Sequence, residues 1–473
     1  MTRFALVLIS LLPFTSAWAD RLYSDSFEVP IVGPYFPRVG NTFALPAGPT
    51  TDQLAWIMSE LAAGETTTPQ EIAAHFDASW TVSVADTQAF FQSLRTSYPN
   101  AIIRDVVAVT PVQVTVVIAR PDLSTPFGFL NLEARYSGAH GIVLFGVSNY
   151  SGSVQYAEDQ GLDLAQSVAK FGTLSGAPAI LVGRIGANDQ CTALAELNSS
   201  QLRATASIFK LWVLAGLGRG IAQGIIGAEE SITLAASQIA SGGTINGEPL
   251  GTIFSLSDMA TLMIGISDNT ATDHVHHRVG RAAIDQAIDA YGVAQPSVLK
   301  PLLDISEQFH LFFTFPLATA QAYVDGTEPD QQQFIDEEIV PLGPYVPGSG
   351  AYSNTGLLTS GSWRATPMDI CRAFAHHRHL PQGSDAIALV DRALSAQSAQ
   401  PEVRNAWDRV WYKGGSLASS DGYHVLTHAW MLQNSGEDPY VVIAMSNSDT
   451  GGIDPYKVQS ITGRILQLLA QLP

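Results

Sequence analysis

The sequence predicts an α+β chain in two unequal parts, and three observations carry that expectation. Residues 51–150 read as helical periodicity followed by β-branched, strand-like runs. Residues 158–473 intersperse helical segments with further strand-like runs, and a polar stretch at 148–153 separates the two parts. At 473 residues the chain is also longer than one ordinary core requires.

Each element follows from its residues. Residues 1–19 carry Arg3, an apolar run over 4–14, and Ala17-Trp18-Ala19 before Asp20, the pattern of a cleavable secretory signal. The apolar run falls short of the roughly 20 residues that a membrane span needs, and no cysteine follows the small residues to take a lipid. The expectation is an exported protein, periplasmic or secreted, with no membrane span once the signal is removed. Residues 20–50, with Pro30, Pro34, Pro37, Pro46 and Pro49, read as an extended lead-in. Leu54, Ile57, Met58 and Leu61 recur at helical spacing, with Thr51 or Asp52 as the cap and Gly64 as the stop. Short helices follow near 69–76 and 85–94, then antiparallel strands over 101–109, 112–119, 127–136 and 141–147.

In the second part a helix is expected over 162–171, and strands over 179–185 and 192–197 are joined by the turn 186–189. Ala365-Thr366-Pro367 opens another helix. Residues 410–413, 424–433 and 440–445 read as strands, and 456–469 as a closing helix.

The chemistry centres on Thr205-Ala206-Ser207-Ile208-Phe209-Lys210, which leads into the apolar run 211–217 and reads as the first turn of a buried helix. A serine and a lysine three positions apart share a helix face, so the amine can reach the hydroxyl. A first-turn position adds unpaired N–H groups and partial positive charge beside the serine oxygen. Ser267-Asp268-Asn269 and Lys413-Gly414-Gly415-Ser416 follow in that order.

The three motifs together resemble the class A β-lactamase and penicillin-binding-protein superfamily, whose signatures are S-x-x-K, S-D-N and K-[TS]-G. The resemblance covers roughly 158–473, including the lead-in 251–260 before the second motif. It implies a mainly antiparallel sheet flanked by helices, and an acyl-enzyme formed on Ser207 from a β-lactam, amide or ester. It further implies Lys210 as the base, with its pKa depressed by Lys413. Ser267 relays a proton, and Asn269 orients substrate and lysine. Lys413 attracts a substrate carboxylate, Gly415 and Ser416 lie along the substrate, and the N–H groups of Ser207 and Ser416 form an oxyanion hole. Two departures stand out. Gly414 replaces the family's Thr or Ser, whose hydroxyl meets the substrate carboxylate. No E-x-x-L-N string, source of the family's deacylating glutamate, lies between Asn269 and Lys413. Glu307 lies in that region but reads as a surface helix residue, and the long interval from Asn269 to Pro367 implies a rebuilt loop over the site.

Helices followed by a curved sheet in 51–150 are similar to the cone-shaped steroid-isomerase and NTF2 modules, for which an accessory packing or dimerising role is expected ahead of ligand binding. The two-part layout resembles serine hydrolases encoded in clavulanic-acid biosynthesis clusters. Rival readings are a peptidoglycan D-alanyl-D-alanine carboxypeptidase-like enzyme and a β-lactam-binding or sensing protein with little turnover.

A net charge of −19, from 24 basic and 43 acidic residues, argues against nucleic acid and anionic membranes as partners and leaves a small-molecule substrate. Cys191 and Cys371 are the only cysteines; export permits a disulfide, and spacing leaves it open. His274, His276 and His277 lack the spaced Asp and distant His of a metal site, so no metal is expected. The run His376-His377-Arg378-His379 reads as a solvated helix end. No phosphate loop or dinucleotide fingerprint is present, so no cofactor is expected. Oligomeric state is not encoded in any of these features.

Overall fold

The structure, a computed structural model, describes residues 33–186 and 188–472. The expected signal and the first part of the lead-in fall outside the described residues. Within them, no helix is long and apolar enough to cross a membrane.

The first part begins with helix α1, Pro49–Glu60, which starts ahead of the expected Thr51. Pro49 suits a first helical position because its missing N–H would be unpaired there anyway. Thr50 is therefore inside the helix, and its hydroxyl donates to Thr110 O at 2.6 Å. Helix α2, Pro69–His75, opens on a capping box between Thr68 and Glu71, and α3, Val84–Ser97, is capped by Ser83. Strands β1 (Ile102–Val109), β2 (Gln113–Ala119), β3 (Phe127–Ala134) and β4 (Ile142–Tyr150) pair antiparallel in chain order. Burial alternates residue by residue along β3, as expected when one face of a sheet meets a core. Leu54, Ile57, Phe91, Val114, Val116, Ile118, Leu130 and Leu132 fill the space between helices and sheet.

In the second part, α4 (Leu164–Phe171) precedes strands β5 (Ala177–Ile185) and β6 (Cys191–Leu197). Strands β7 (Arg409–Ala418), β8 (His424–Gln433) and β9 (Tyr440–Ser448) complete a five-stranded sheet in the order β7-β8-β9-β5-β6, every pair antiparallel. One face packs on α4 and the closing helix, Pro455–Leu469, through Phe171, Trp430, Ile461 and Ile465. The other carries Leu181, Trp411 and Ile443 against α5, Lys210–Ala222, whose residues from Lys210 to Gly218 are all buried. A helix apolar on every side can only sit inside a core, which is why the motif serine and lysine stand at its entrance. Helices α6 (Leu256–Gly265) and α7 (Asn269–Val279) pack on α5 and bring the second motif beside it.

Cys191, at the start of β6, is bonded to Cys371 on the helix Pro367–Arg378. That helix end is also not the solvated one expected: His377 is fully buried with Nε2 3.2 Å from Leu211 O, and His376 stacks on Tyr291. An apolar helix core beside it leaves no water for His377, and burial holds its pKa at about 3.

The two parts share an interface. Tyr136, just past β3, stacks on Phe254 at 4.0 Å and donates to Asp258 at 2.8 Å on α6. Glu248 accepts from Tyr136 N, Ser137 N and the Ser137 hydroxyl, and β1 exchanges backbone hydrogen bonds with Ala396 and Ser398. The helix that leads to the second motif therefore rests on the first part of the chain.

Candidate active site

Three backbone features set the serine. Ala206 adopts φ 44°, an uncommon left-handed value for a residue with a Cβ. Thr205 is pinned on both sides of its peptide: its N–H and hydroxyl donate to Trp363 O at 2.9 and 2.8 Å, and its carbonyl accepts from the Thr427 hydroxyl at 2.8 Å. Ser207 then lies in a 3₁₀ turn, Ala206–Phe209, that runs straight into α5. It is half-buried, whereas Lys210, one turn on, is fully buried.

The second motif sits at the turn between α6 and α7. Ser267 also adopts a left-handed φ, 59°. Asp268 caps α7 by accepting from Ala271 N at 2.7 Å, and its other oxygen accepts from Ile245 N at 2.9 Å. Lys210 Nζ donates to Ser267 O at 2.7 Å, to Asn269 Oδ1 at 2.8 Å and to the Ser267 hydroxyl at 3.2 Å. Asn269 spends its own N–H on Ser241 O, which fixes its amide orientation.

The third motif arrives on β7, the edge strand. Lys413 Nζ donates to the Ser267 hydroxyl at 3.0 Å and to Gly414 O at 2.6 Å. The Ser267 oxygen thus stands between two amines. At Gly415 a Cβ would lie 2.6 Å from Ser207 N and 2.6 Å from Thr205 O. Only a residue without a side chain lets the strand edge approach the serine's backbone this closely. Ser416 is the next residue on the same edge.

Burial governs the electrostatics. Lys210 is pushed down to about 7 by loss of solvent, against the pull of Asp268 and Asp273, which favour its charged form. Lys413 is pushed well below an ordinary lysine, first by burial and then by repulsion from Lys210. This corrects the expected cause: repulsion acts on Lys413, while burial is what depresses Lys210. Lys210 can therefore hold a lone pair near neutral pH. The sign is direct: the neutral amine increases as pH rises through about 7. We expect the rate of covalent labelling of Ser207 to climb between pH 6 and 8 and then level off; a flat profile from pH 6 to 9 measured with an uncharged nitrophenyl ester would contradict it.

The rebuilt loop is a helical excursion. It contains the helices Ile305–Phe313, Leu317–Asp325, Glu328–Phe334 and Leu357–Ser360, and returns at Trp363, which stacks on Phe209 at 3.9 Å. Its first helix is fastened to α7 and to the helix Arg281–Ala290 that follows it. Asp273 accepts from Ile305 N at 2.8 Å and Ser306 N at 3.2 Å, His277 Nε2 lies 2.9 Å from Asp304, and Arg281 donates to Glu307 at 2.5 Å. Glu307 is buried, contrary to the surface position expected, because its carboxylate completes a capping box with Asp304 and pairs with Arg281. His274 and His276 are also committed individually, to Ala235 N and Leu302 O.

Sequence reasoning missed Thr205, Thr427 and Asp273, whose side chains hold backbone and not substrate. It also missed Tyr412, whose hydroxyl lies 2.7 Å from His428 Nδ1. Strand alternation places Tyr412 on the Gly414 face, but its reach over that glycine is a tertiary fact.

The antiparallel sheet, its helical flanks and the helix that opens on the serine–lysine turn make an α+β fold of β-lactamase-like kind. Residues 169–326 match the model of the family described as the beta-lactamase enzyme family. No curated protein matches the chain. Among solved structures it is similar to a β-lactamase from Chitinophaga pinensis, with 14% identity over 64% of this chain and 96% of that one and a TM-score of 0.42. It is similar to a β-lactamase from Sphaerobacter thermophilus at 18% identity, over 64% and 94%, with a TM-score of 0.41. It is also similar to PBP-A at 15% identity, over 65% and 97%, with a TM-score of 0.40.

Proposed function

We propose that this protein is an exported serine hydrolase that forms an acyl-enzyme on Ser207 from small esters, β-lactams or related amides. The observation that carries the reading is the convergence of Lys210, one helical turn from Ser207, and Lys413 on the Ser267 hydroxyl. In this reading the neutral amine of Lys210 takes the Ser207 proton as the oxygen attacks the carbonyl. Ser207 N and Ser416 N stabilise the oxyanion. Collapse of the tetrahedral intermediate expels the leaving group, which receives a proton through Ser267. Lys413 supplies that hydroxyl with a hydrogen bond, and Asn269 keeps Lys210 aimed. The first part of the chain acts as an accessory module of the cone-shaped NTF2 kind, buttressing α6 through Tyr136.

Deacylation is the slow half of the cycle. The chain has no E-x-x-L-N string, and Glu307 is held by Arg281 and by the Asp304 N–H. General-base help to the water is worth about 10² to 10⁴ in rate. This favours, as a second reading, a β-lactam-binding protein with little turnover. Stopped-flow with a chromogenic cephalosporin beside a nitrophenyl ester separates the two. We expect a burst of one equivalent and a slow steady state for the cephalosporin. Fast cephalosporin turnover without a burst would mean that a base serves both steps and would remove the slow-release reading.

A further inference from the structure

We propose that Tyr412 is a specificity-determining residue whose hydroxyl takes the place of the one missing at Gly414 and hydrogen-bonds a substrate carboxylate. The inference rests on the acyl-enzyme reading above and deepens it.

Tyr412 and Gly414 lie two residues apart on β7 and so point to the same side of the strand. A Cβ built on Gly414 would stand 2.1 Å from the Tyr412 hydroxyl oxygen and 2.9 Å from the ring carbon that bears it. The phenol oxygen therefore occupies nearly the volume in which a Ser or Thr at 414 would place its own hydroxyl. The two arrangements exclude each other, so the glycine is the condition for the tyrosine and not simply a lost contact. Gly414 is partly exposed, whereas Tyr412 is only 5% exposed, so the ring is packed beneath a partly open stretch of the strand.

The neighbouring groups suit a hydrogen bond to an anion. The hydroxyl lies 2.7 Å from Nδ1 of His428, which is the cross-strand partner of Gly414 and stacks on Trp430 at 5.2 Å. Burial keeps His428 neutral, at about 4, with Lys413 adding to the effect. In its Nδ1–H tautomer the imidazole donates to the phenol oxygen and leaves the phenol proton for a ligand. Lys413 is adjacent in sequence to Gly414 and bonds its carbonyl. Ser416, two residues beyond Gly414, gives the proposed oxyanion N–H. A carboxylate attached near a reacting carbonyl would thus meet Tyr412 while the carbonyl meets Ser207 and Ser416.

The test compares a chromogenic cephalosporin with its carboxyl methyl ester, reading the ratio of their acylation rate constants in the wild type, in Tyr412→Phe, and in the double variant Tyr412→Leu with Gly414→Ser. Hydrogen bonds to charged groups are among the stronger ones, so the preference for the free acid is expected to fall about tenfold or more in Tyr412→Phe. The double variant, which exchanges one hydroxyl for the other, is expected to regain most of it. A ratio unchanged in Tyr412→Phe overturns the assignment, as does an equal fall for both substrates, which marks a packing role. Labelling of the wild type by a nitrophenyl ester but by neither cephalosporin overturns this assignment alone. Labelling by none of the three overturns the acyl-enzyme reading and this inference with it.

Discussion

Replacing Ser207 with alanine is expected to abolish covalent labelling and to lower ester hydrolysis by at least about 10³-fold, while the melting temperature stays within a few degrees of the wild type. The first half follows from covalent catalysis, in which no neighbouring oxygen can substitute for the attacking one. Ser267 is a rival hydroxyl of the same site, but it is held between Lys210 and Lys413 as a hydrogen-bond acceptor. The second half follows from the local structure. The turn is held at Thr205, which donates to Trp363 O and accepts from the Thr427 hydroxyl, and none of these bonds involves the Ser207 side chain. Ser207 is half-buried and the substitution removes only its hydroxyl oxygen, so the change in stability is expected to stay at or below about 1 kcal/mol. Labelling at an undiminished rate, read by intact mass, would mean that the nucleophile lies elsewhere.

The second large effect is expected at Gly415. A methyl group there would meet Ser207 N and Thr205 O at 2.6 Å and the Thr427 hydroxyl at 2.8 Å, all below the approach that real Cβ atoms tolerate. Backbone atoms cannot rotate away, so β7 must move off the serine. Ser416 N would move with it. Loss of one oxyanion donor costs about 10² to 10³ in rate. Gly415→Ala is therefore expected to slow acylation by that factor for every substrate class, with folding retained because β7 is paired with β8 along its whole length and one displaced residue leaves most of that pairing. Acylation within threefold of the wild type, measured by stopped flow with a nitrophenyl ester, would show that the strand edge does not contribute to the hole.

The sequence made most of the local structure readable and less of the long-range structure. Helices and strands fell close to their expected positions because apolar spacing and caps such as Thr68, Ser83 and Thr366 act within one turn. The start of α1 was misplaced because Gly48 caps it without a side chain, leaving only Pro49 as the signal. Ser207, Lys210, Ser267, Asn269 and Lys413 could be listed from the motifs; in the structure Lys210 and Lys413 both donate to the Ser267 hydroxyl, Asn269 accepts from Lys210, and Ser207 stands one helical turn before Lys210.

What the sequence could not supply depends on distant pairings. Cys191 and Cys371 bond across 180 residues, a distance over which spacing carries no information. Glu307 looked exposed because its partner, Arg281, lies on a different helix. Burial of Lys210 comes from the surrounding core, so its depressed pKa could be guessed only through the neighbouring lysine. Gly414 read as a lost hydroxyl, and only the fold places the Tyr412 oxygen beside it.

The central claim is that Ser207 carries an acyl group during reaction. Peptide mapping by mass spectrometry after brief exposure to a penicillin tests it most directly. The account predicts one equivalent of penicilloyl adduct on the peptide containing Ser207, persisting for many times the half-life of the corresponding nitrophenyl-ester adduct. An adduct on another residue, or none on Ser207 with either reagent, would contradict it.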